Sequence, residues 1–225
     1  MGVGRALQAV RLLLMAAAVI VTLAACAPAP PGGERASSQG QQSSRQGGTL
    51  RLAWIAEPDT LAPKFLGGSG NADYEWLFSS FLTYLGMGAV PHPMLAEEIP
   101  TQASGGWVIN PDGTMITTYR LRPQNRWHDG TLLTAQDFVF AFEVYTDKDL
   151  PVLKPAPENL MERVEAQDDY TLVIRWKDPY VGSNVLGFEQ LAPLPRHVLE
   201  AKYRTNKATF ANGEEWTTGF ISTGP

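Results

Sequence analysis

The chain has 225 residues, of which 44% are hydrophobic and 18% are charged, the balance of an ordinary soluble globular protein. Its formal net charge of −5 argues against nucleic acid or an anionic membrane face as a partner. The single cysteine, Cys26, excludes an intramolecular disulfide, so the stability of the fold must come from its core.

The N-terminal segment has the layout of a secretory signal peptide. Arg5 and Arg11 precede an apolar run over residues 12–25, which is shorter than the roughly 20 residues that a membrane-spanning helix needs. The run ends in the tetrapeptide LAAC, which closes with Cys26 and resembles the bacterial lipobox. That resemblance implies cleavage before Cys26 and attachment of a diacylglycerol to its thiol, whereas a buried free thiol is the alternative.

Removal of the leader would leave a more acidic chain behind a disordered tether. Residues 1–25 contain two arginines and no acidic residue, so the formal charge changes from −5 to −7. Residues 27–48 are rich in Pro, Gly, Ser and Gln without periodic apolar residues, a composition that does not order itself. We expect this tether to reach a few tens of Å from the lipid, at roughly 5–6 Å × √n for n residues.

The folded part begins with a predicted strand and a predicted helix that enclose a glycine-rich loop. Alternating side chains over residues 50–55 predict the strand. Apolar residues at helical spacing over residues 72–85 predict an amphipathic helix that ends at Gly86. Between them, residues 64–71 read KFLGGSGN, a loop whose glycines would let other groups approach its backbone closely. The alternative for this loop is a plain connector.

A hairpin, a capped helix and a further strand follow. Residues 107–109 and 115–121 predict the hairpin, because an Asn-Pro-Asp-Gly turn joins them. Thr134 as the N-cap, with Asp137 three residues later, predicts the start of the helix. Its apolar residues spread so widely that we expect burial on more than one side. Alternation over residues 170–176 predicts the further strand.

The same region carries a resemblance to a known family. The sequence reads YRLR from Tyr119, RWHDG from Arg126, LTAQDF from Leu133 and LAPLPRHVL from Leu191. In this order the motifs resemble the bacterial solute-binding proteins of family 5, which serve ABC importers of dipeptides, oligopeptides and nickel. The resemblance covers residues 49–225.

The resemblance implies an α/β fold with mixed sheets, of the periplasmic-binding-protein-like type II, in the cluster that has an extra domain. Because members are typically more than twice as long, the chain is identified as an N-terminal fragment with an incomplete fold. The implied order is a signal peptide (1–25), a lipoprotein tether (26–48), the first part of domain I (49–78), domain II (79–187) and a truncated second part of domain I (188–225). We therefore expect this last part to be poorly anchored, with Phe210, Trp216 and Phe220 exposed.

The resemblance also implies where a ligand would bind. The loop after the first strand faces the ligand in the family, which makes the following residues the candidate binding residues: Phe65, Leu66, Gly67, Gly68 and Ser69. The family's Leu-Asp-Pro triplet is Leu-Ala-Pro at residues 61–63, so its carboxylate is missing. Residues 114–142, which carry most of the motifs, are implied to be a scaffold in domain II, away from the cleft.

Other chemistry has little support in the sequence. His92, His128 and His197 are far apart and lack metal-ligand spacing, so they predict no metal site. Neighbouring acidic residues point apart and predict solvated carboxylates instead of acid/base catalysis. No nucleophile motif and no phosphate-binding glycine loop with a following lysine occurs. The sequence predicts neither an enzyme nor a cofactor.

The function implied by the resemblance is that of a monomeric, lipid-anchored receptor on the extracytoplasmic face of the membrane, in the periplasm or at the cell surface. It would capture a peptide or similar small solute by domain closure and deliver it to the permease subunits of an ABC importer. Three alternatives stay open. They are a secreted lipoprotein hydrolase with catalytic residues beyond residue 225, a family member that binds oligosaccharide or nickel, and a receptor that signals or chaperones without transport.

Overall fold

The computed structural model describes residues 49, 51–53, 60–62, 64, 72–152, 156–188 and 190–224. The chain divides into two compact units, Met1–Leu52 and Ala53–Pro225, and the helices and strands given below lie in the second. The predicted leader and tether lie outside the described residues. Most of the predicted first strand does too, and residues 51–53 are not in a strand. Within the described ranges, no helix has the length and apolar character needed to cross a membrane.

The predicted helix over residues 72–85 is correct only at its start. Helix α1 spans Ala72–Phe78, and the chain then forms strand β1, Thr83–Leu85, which pairs antiparallel with β2, Pro91–Pro93. The backbone N–H of Thr83 also donates to the carbonyl of Leu186 at 3.0 Å. These hydrogen bonds to distant residues favour a strand where the local spacing predicts a helix, because tertiary contacts override weak local preferences.

A four-stranded antiparallel sheet in the order β3–β4–β6–β5 confirms the predicted hairpin and the predicted later strand. Its strands are β3, Trp107–Ile109; β4, Met115–Arg120; β5, Met161–Asp168; and β6, Thr171–Trp176. Tyr119 lies opposite Leu172, and Thr117 lies opposite Ile174; all four side chains are fully buried. Gly113 closes the hairpin turn with φ of 88°, a left-handed value that glycine adopts at little cost.

Helix α2, Ala135–Thr146, begins with the predicted capping box. The carboxylate of Asp137 accepts a hydrogen bond from the backbone N–H of Thr134 at 2.8 Å. It accepts another at 3.1 Å from Arg196, the first residue of helix α3, Arg196–Thr205. One carboxylate thus satisfies N–H groups at the start of two helices, which otherwise lack partners. Burial raises the pKa of Asp137, and these hydrogen bonds oppose the rise.

Helix α2 is buried on two sides, as its sequence predicts. Phe138 packs in a cluster with Leu172 and Trp176 of the sheet. Phe140 packs in a second cluster, where its ring meets that of Tyr203 edge to face at 5.7 Å. The helix therefore joins the sheet to the helices that follow it.

The C-terminal part of the chain is well packed, so the expectation that Phe210 and Trp216 are exposed is wrong. Helix α4, Lys207–Ala211, follows α3, and Phe210 and Trp216 are each 1% exposed. Their rings meet edge to face at 5.0 Å, and the carbonyl of Trp216 accepts the N–H of Leu61 at 3.0 Å. Phe220 is half-buried. The error arose because α2 and residues 60–62 of this chain provide the surface that covers these rings.

Asp147 joins the C-terminal end of α2 to α3 and α4. Its side chain is 8% exposed and lies 2.7 Å from Lys207 Nζ, and it accepts a hydrogen bond from the hydroxyl of Tyr203 at 2.7 Å. Burial alone would raise the pKa of Asp147. The hydrogen bonds from Lys207, from the backbone of Asp149 and from Tyr203 outweigh burial and lower that pKa.

We expect Asp147→Asn to reduce the loss of stability on acidification. Because the pKa of the native carboxyl is lowered, its contribution is present above the ordinary value of 3.8 and is lost as the pH falls through the folded-state pKa. The wild type should exceed the variant by on the order of 1–2 kcal/mol at neutral pH and by less near about pH 3. Urea unfolding at both pH values measures this, with the exposed Asp178→Asn as control. A difference that does not change with pH would contradict it.

Candidate functional site: the approach to the predicted ligand loop

The residues predicted to carry lipid or ligand lie outside the described residues: Cys26, Phe65, Leu66, Gly67, Gly68 and Ser69. We refer to residues 65–69 as the ligand loop. The structure describes Lys64, which directly precedes this loop, and helix α1, which begins shortly after it.

Lys64 forms a buried ion pair with Glu158. Both side chains are 0% exposed, and Lys64 Nζ donates directly to Glu158 Oε2. The same ammonium donates to the carbonyl of Ala156 at 2.9 Å, and Glu158 Oε1 accepts the backbone N–H of Leu191 at 2.5 Å. Removing an ion from water costs several kcal/mol, which only close pairing and further hydrogen bonds offset. The pair thus joins three segments that are distant in sequence.

Glu75 and Tyr145 lie near this ion pair, and the four residues form a buried polar cluster: Lys64, Glu75, Tyr145 and Glu158. Burial raises the pKa of Glu158, and the ammonium of Lys64 opposes the rise. Lys64 Nζ lies 5.7 Å from the ring centroid of Tyr145. Burial raises the pKa of Tyr145, and the carboxylates of Glu158 and Glu75 raise it further. Among the described residues, the hydroxyl of Tyr145 has no hydrogen-bond partner.

Two residues bonded to Glu158 have a left-handed backbone. The φ angle is 61° at Lys64 and 48° at Leu191, values that residues other than glycine seldom adopt. Such conformations cost on the order of 1–3 kcal/mol each and persist only where surrounding contacts hold them. Glu158 bonds to the side-chain ammonium of Lys64 and to the backbone N–H of Leu191, through opposite oxygens of one carboxylate.

A cavity of about 440 Å³ lies beside the cluster, between the end of α2 and the start of β5. Tyr145 and Glu158 line it together with the apolar side chains of Leu150 and Met161. Its volume is within the roughly 300–1,000 Å³ of small-molecule sites. The described part of the chain therefore has a sizeable cavity next to Glu158.

The motif around His128 fastens the end of the described chain to α1. The backbone N–H of His128 donates to the carbonyl of Ser222 at 2.8 Å, and its Nε2 lies 3.1 Å from the carbonyl oxygen of Gly224. The N–H of Gly224 in turn donates to the carbonyl of Phe78 at 2.6 Å. These contacts are architectural, in keeping with the scaffold role predicted for residues 114–142.

The other two histidines also have partners within the fold. His197 Nε2 lies 2.7 Å from Asp129 Oδ2, and hydrogen bonds from the backbone of Thr131 and from His197 lower the pKa of Asp129. His92 stacks on Tyr84 with ring centroids 5.0 Å apart. Among the residues that the structure describes, no three His, Cys, Asp or Glu side chains are grouped to hold a metal ion.

Sequence reasoning missed the pairing of Lys64 with Glu158. In the sequence Lys64 is only the first residue of a loop, and Glu158 stands out in no motif. The two residues are 94 positions apart, so no local pattern links them. A single acid after a proline-rich segment is more often solvated than buried, which left no signal to find it by.

The architecture is that of a type II periplasmic binding protein. The solved oligopeptide-binding protein AppA from Bacillus subtilis, in complex with a nonapeptide, matches 76% of this chain with a TM-score of 0.63 and 23% identity. Haemophilus influenzae OppA, in complex with RPPGFSPFR, matches 75% with a TM-score of 0.58 and 23% identity. NikZ from Campylobacter jejuni, in complex with Ni(L-His), matches 76% with a TM-score of 0.57 and 21% identity.

The sequence matches the family described as bacterial extracellular solute-binding proteins, family 5 Middle, over residues 91–225, and the chain belongs to that family. It is 28% identical to AppA of Bacillus subtilis (strain 168) over 157 residues, which are 69% of this chain and 27% of AppA. It covers 32% of the solved AppA chain, 33% of OppA and 30% of NikZ, so it spans about a quarter to a third of these relatives. The predicted family and fold are confirmed. The family is one of solute-binding proteins.

Proposed function

We propose that the protein is the solute-binding component of an ABC importer and captures di- or oligopeptides outside the cytoplasmic membrane. Membership of the family is the observation that carries the proposal. The likeness to AppA and OppA, whose solved structures contain peptides, favours peptides among the solutes. Oligosaccharides and nickel are the alternative solutes.

Capture would occur by closure of domains around an extended peptide. Main-chain hydrogen bonds would hold the peptide backbone, while hydrated pockets accept different side chains. The ligand loop would contribute backbone groups at Gly67 and Gly68, where no side chain prevents close approach. No chemical change of the peptide is involved, and the loaded protein would pass its cargo to the permease subunits.

The proposed division into domains is supported by contacts between its two parts of domain I, residues 49–78 and 188–225. The hydroxyl of Thr60 donates to the carbonyl of Trp216 at 2.6 Å. The backbone N–H of Gly224 donates to the carbonyl of Phe78, the last residue of the first part, at 2.6 Å. Such contacts are expected if the chain leaves domain I at about residue 79 and returns to it after domain II.

We further propose that Cys26 carries the lipid that holds the protein at the extracytoplasmic face, with residues 26–48 as the tether. Each buried methylene of an acyl chain contributes about 0.8 kcal/mol to membrane binding, so the lipid would suffice without a spanning helix. Cys26→Ser should therefore move the protein from the membrane fraction to the soluble fraction. Cell fractionation measures this, with Ser43→Ala in the same tether as control. Unchanged membrane association of the Cys26 variant would contradict lipid anchoring.

Titration calorimetry of the full-length protein tests the proposed solute class. We expect one-to-one binding of di-, tri- or oligopeptides, with a favourable enthalpy from main-chain hydrogen bonds and a negative heat-capacity change. Oligosaccharides and nickel complexes should give no heat above dilution. Binding of a sugar or a nickel complex without any peptide would overturn the peptide assignment and leave the role in import intact.

A further inference from the structure

We propose that the cavity beside Glu158 binds a small amphipathic carboxylate, with its apolar chain inside the cavity and its carboxylate at a rim that carries Lys148 and Lys177. The cavity has a volume of about 440 Å³ and lies between the end of α2 and the start of β5. The proposal stands independently of the import function proposed above, because its evidence is the lining of this cavity.

Much of the cavity wall is apolar. Leu150 and Met161 line it and are 8% and 1% exposed. Phe142 and Val152, which are half-buried, line it as well. Such a wall favours an aliphatic chain, since each methylene transferred from water to an apolar site strengthens binding about fourfold. The wall alone would not select a head group.

The two buried acids in the wall already have cationic partners. Glu158 pairs with Lys64, and the carboxylate of Asp147 lies 2.7 Å from Lys207 Nζ. Both oxygens of each carboxylate accept hydrogen bonds within the fold. These acids therefore add little uncompensated negative charge to the cavity and offer a poor site for a cationic ligand.

The lysines at the rim lack such partners. Lys177 is exposed, and its Nζ donates to the backbone carbonyl of Asn159 at 3.0 Å, so two of its three N–H groups are available to a ligand. Lys148 is exposed too, and within the described ranges neither lysine forms an ion pair. Glu162 is an exposed acid in the same lining. Two lysines against one glutamate leave an excess of one positive charge, which favours an anionic head group.

A carboxylate attached to an apolar chain matches both features, because it accepts N–H groups on either oxygen through charge-assisted hydrogen bonds. Two sources share this chemistry. One is a free aliphatic acid, and the other is the C-terminal residue of a peptide that ends in an apolar side chain. Octanoate is the probe for the first source and N-acetylleucine is the probe for the second.

Titration calorimetry of the full-length protein tests the rim. We expect K148M/K177M to bind octanoate about tenfold more weakly than the wild type, while octanol, which has no charge, binds both proteins equally. R126M is the matched control, because Arg126 is also exposed and donates to a backbone carbonyl, that of Gly130, at 2.7 Å outside this cavity. It should bind octanoate as the wild type does.

Two further measurements test the interior of the cavity. Hexanoate should bind about fifteenfold more weakly than octanoate, since it lacks two methylenes. V152W places a larger side chain in the cavity wall and should weaken octanoate and octanol alike. If V152W does not fold, K148M/K177M and the chain-length series still decide the proposal, because lysines at the rim are exposed and their replacement leaves the core unchanged.

The two sources are separated by the second probe. Binding of octanoate without N-acetylleucine would support the site and assign it to free aliphatic acids. Binding of N-acetylleucine, with loss of affinity for N-acetylleucinamide, would support the site and assign it to a peptide C-terminus. No heat from either carboxylate at up to about 10 mM would overturn the proposal. Equal octanoate affinities of K148M/K177M and the wild type would overturn it too.

Discussion

Lys64→Met is expected to lower the free energy of unfolding by about 3–5 kcal/mol, because it leaves the carboxylate of Glu158 buried without its counter-ion. Methionine keeps most of the volume of lysine, so the cost arises from charge and not from a cavity. Burial already raises the pKa of Glu158, and loss of the ammonium would raise it further. Since a protonated Glu158 costs less to bury, the destabilisation should be smaller at about pH 5 than at about pH 8.

Urea unfolding followed by circular dichroism at these two pH values measures the effect. Lys148→Met is the matched control, because Lys148 is exposed and a surface change of this kind alters stability by about 0.5 kcal/mol or less. K64M/E158Q should recover most of the stability lost in K64M. A K64M variant as stable as K148M at both pH values would show that the ion pair is not buried as described.

Trp216→Ala should be comparably destabilising, by about 3–5 kcal/mol, since it empties a large fully buried site. The indole is 1% exposed, packs edge to face on Phe210 and donates from Nε1 to the carbonyl of Phe210 at 2.5 Å. The loss should also loosen Thr60 and Leu61, which donate to the carbonyl of Trp216. Truncation of the indole removes the packing that holds that carbonyl in place.

Thermal and urea unfolding followed by far-UV circular dichroism measures this loss independently of tryptophan fluorescence. Met87→Ala is the control, since Met87 is 98% exposed and its truncation should change the free energy of unfolding by about 0.5 kcal/mol or less. Equal stabilities of the two variants would contradict the tight packing of the C-terminal part.

The elements that the sequence predicts well are those whose signals are local. Helix α2 has its cap at Thr134 and Asp137 and its apolar residues at helical spacing, all within its own length. Strands β4 and β6 alternate between buried and less buried side chains, which the period of two already indicates. In each case the residues that decide the structure lie beside one another in the chain.

The errors arise where distant residues decide the structure. Thr83 lies in a segment whose apolar residues have helical spacing. Its hydrogen-bonding partners, however, are strand β2 and Leu186, which are distant from that segment in sequence. Trp216 is buried although the truncated domain predicts its exposure, because other residues of this chain cover the ring. No local pattern predicts that Glu158 is buried, because its partners Lys64 and Leu191 lie in two other segments of the chain.

The residues that identify the family are not the residues predicted to bind the solute. The motif around His128 identifies the family, yet its described contacts with residues 222–224 hold the fold together. The candidate binding residues at 65–69 stay a prediction. The domain bounds and the attachment of a lipid to Cys26 likewise remain predictions.

Native mass spectrometry of the full-length protein, purified from cells without denaturation, tests peptide capture most directly. We expect bound species whose masses differ by amino-acid residues, and which release sequenceable peptides when the protein is denatured. Addition of RPPGFSPFR should displace them and give a single new mass. A bound sugar or nickel complex in place of peptides, or a protein that stays free of ligand after incubation with peptide mixtures, would contradict peptide capture.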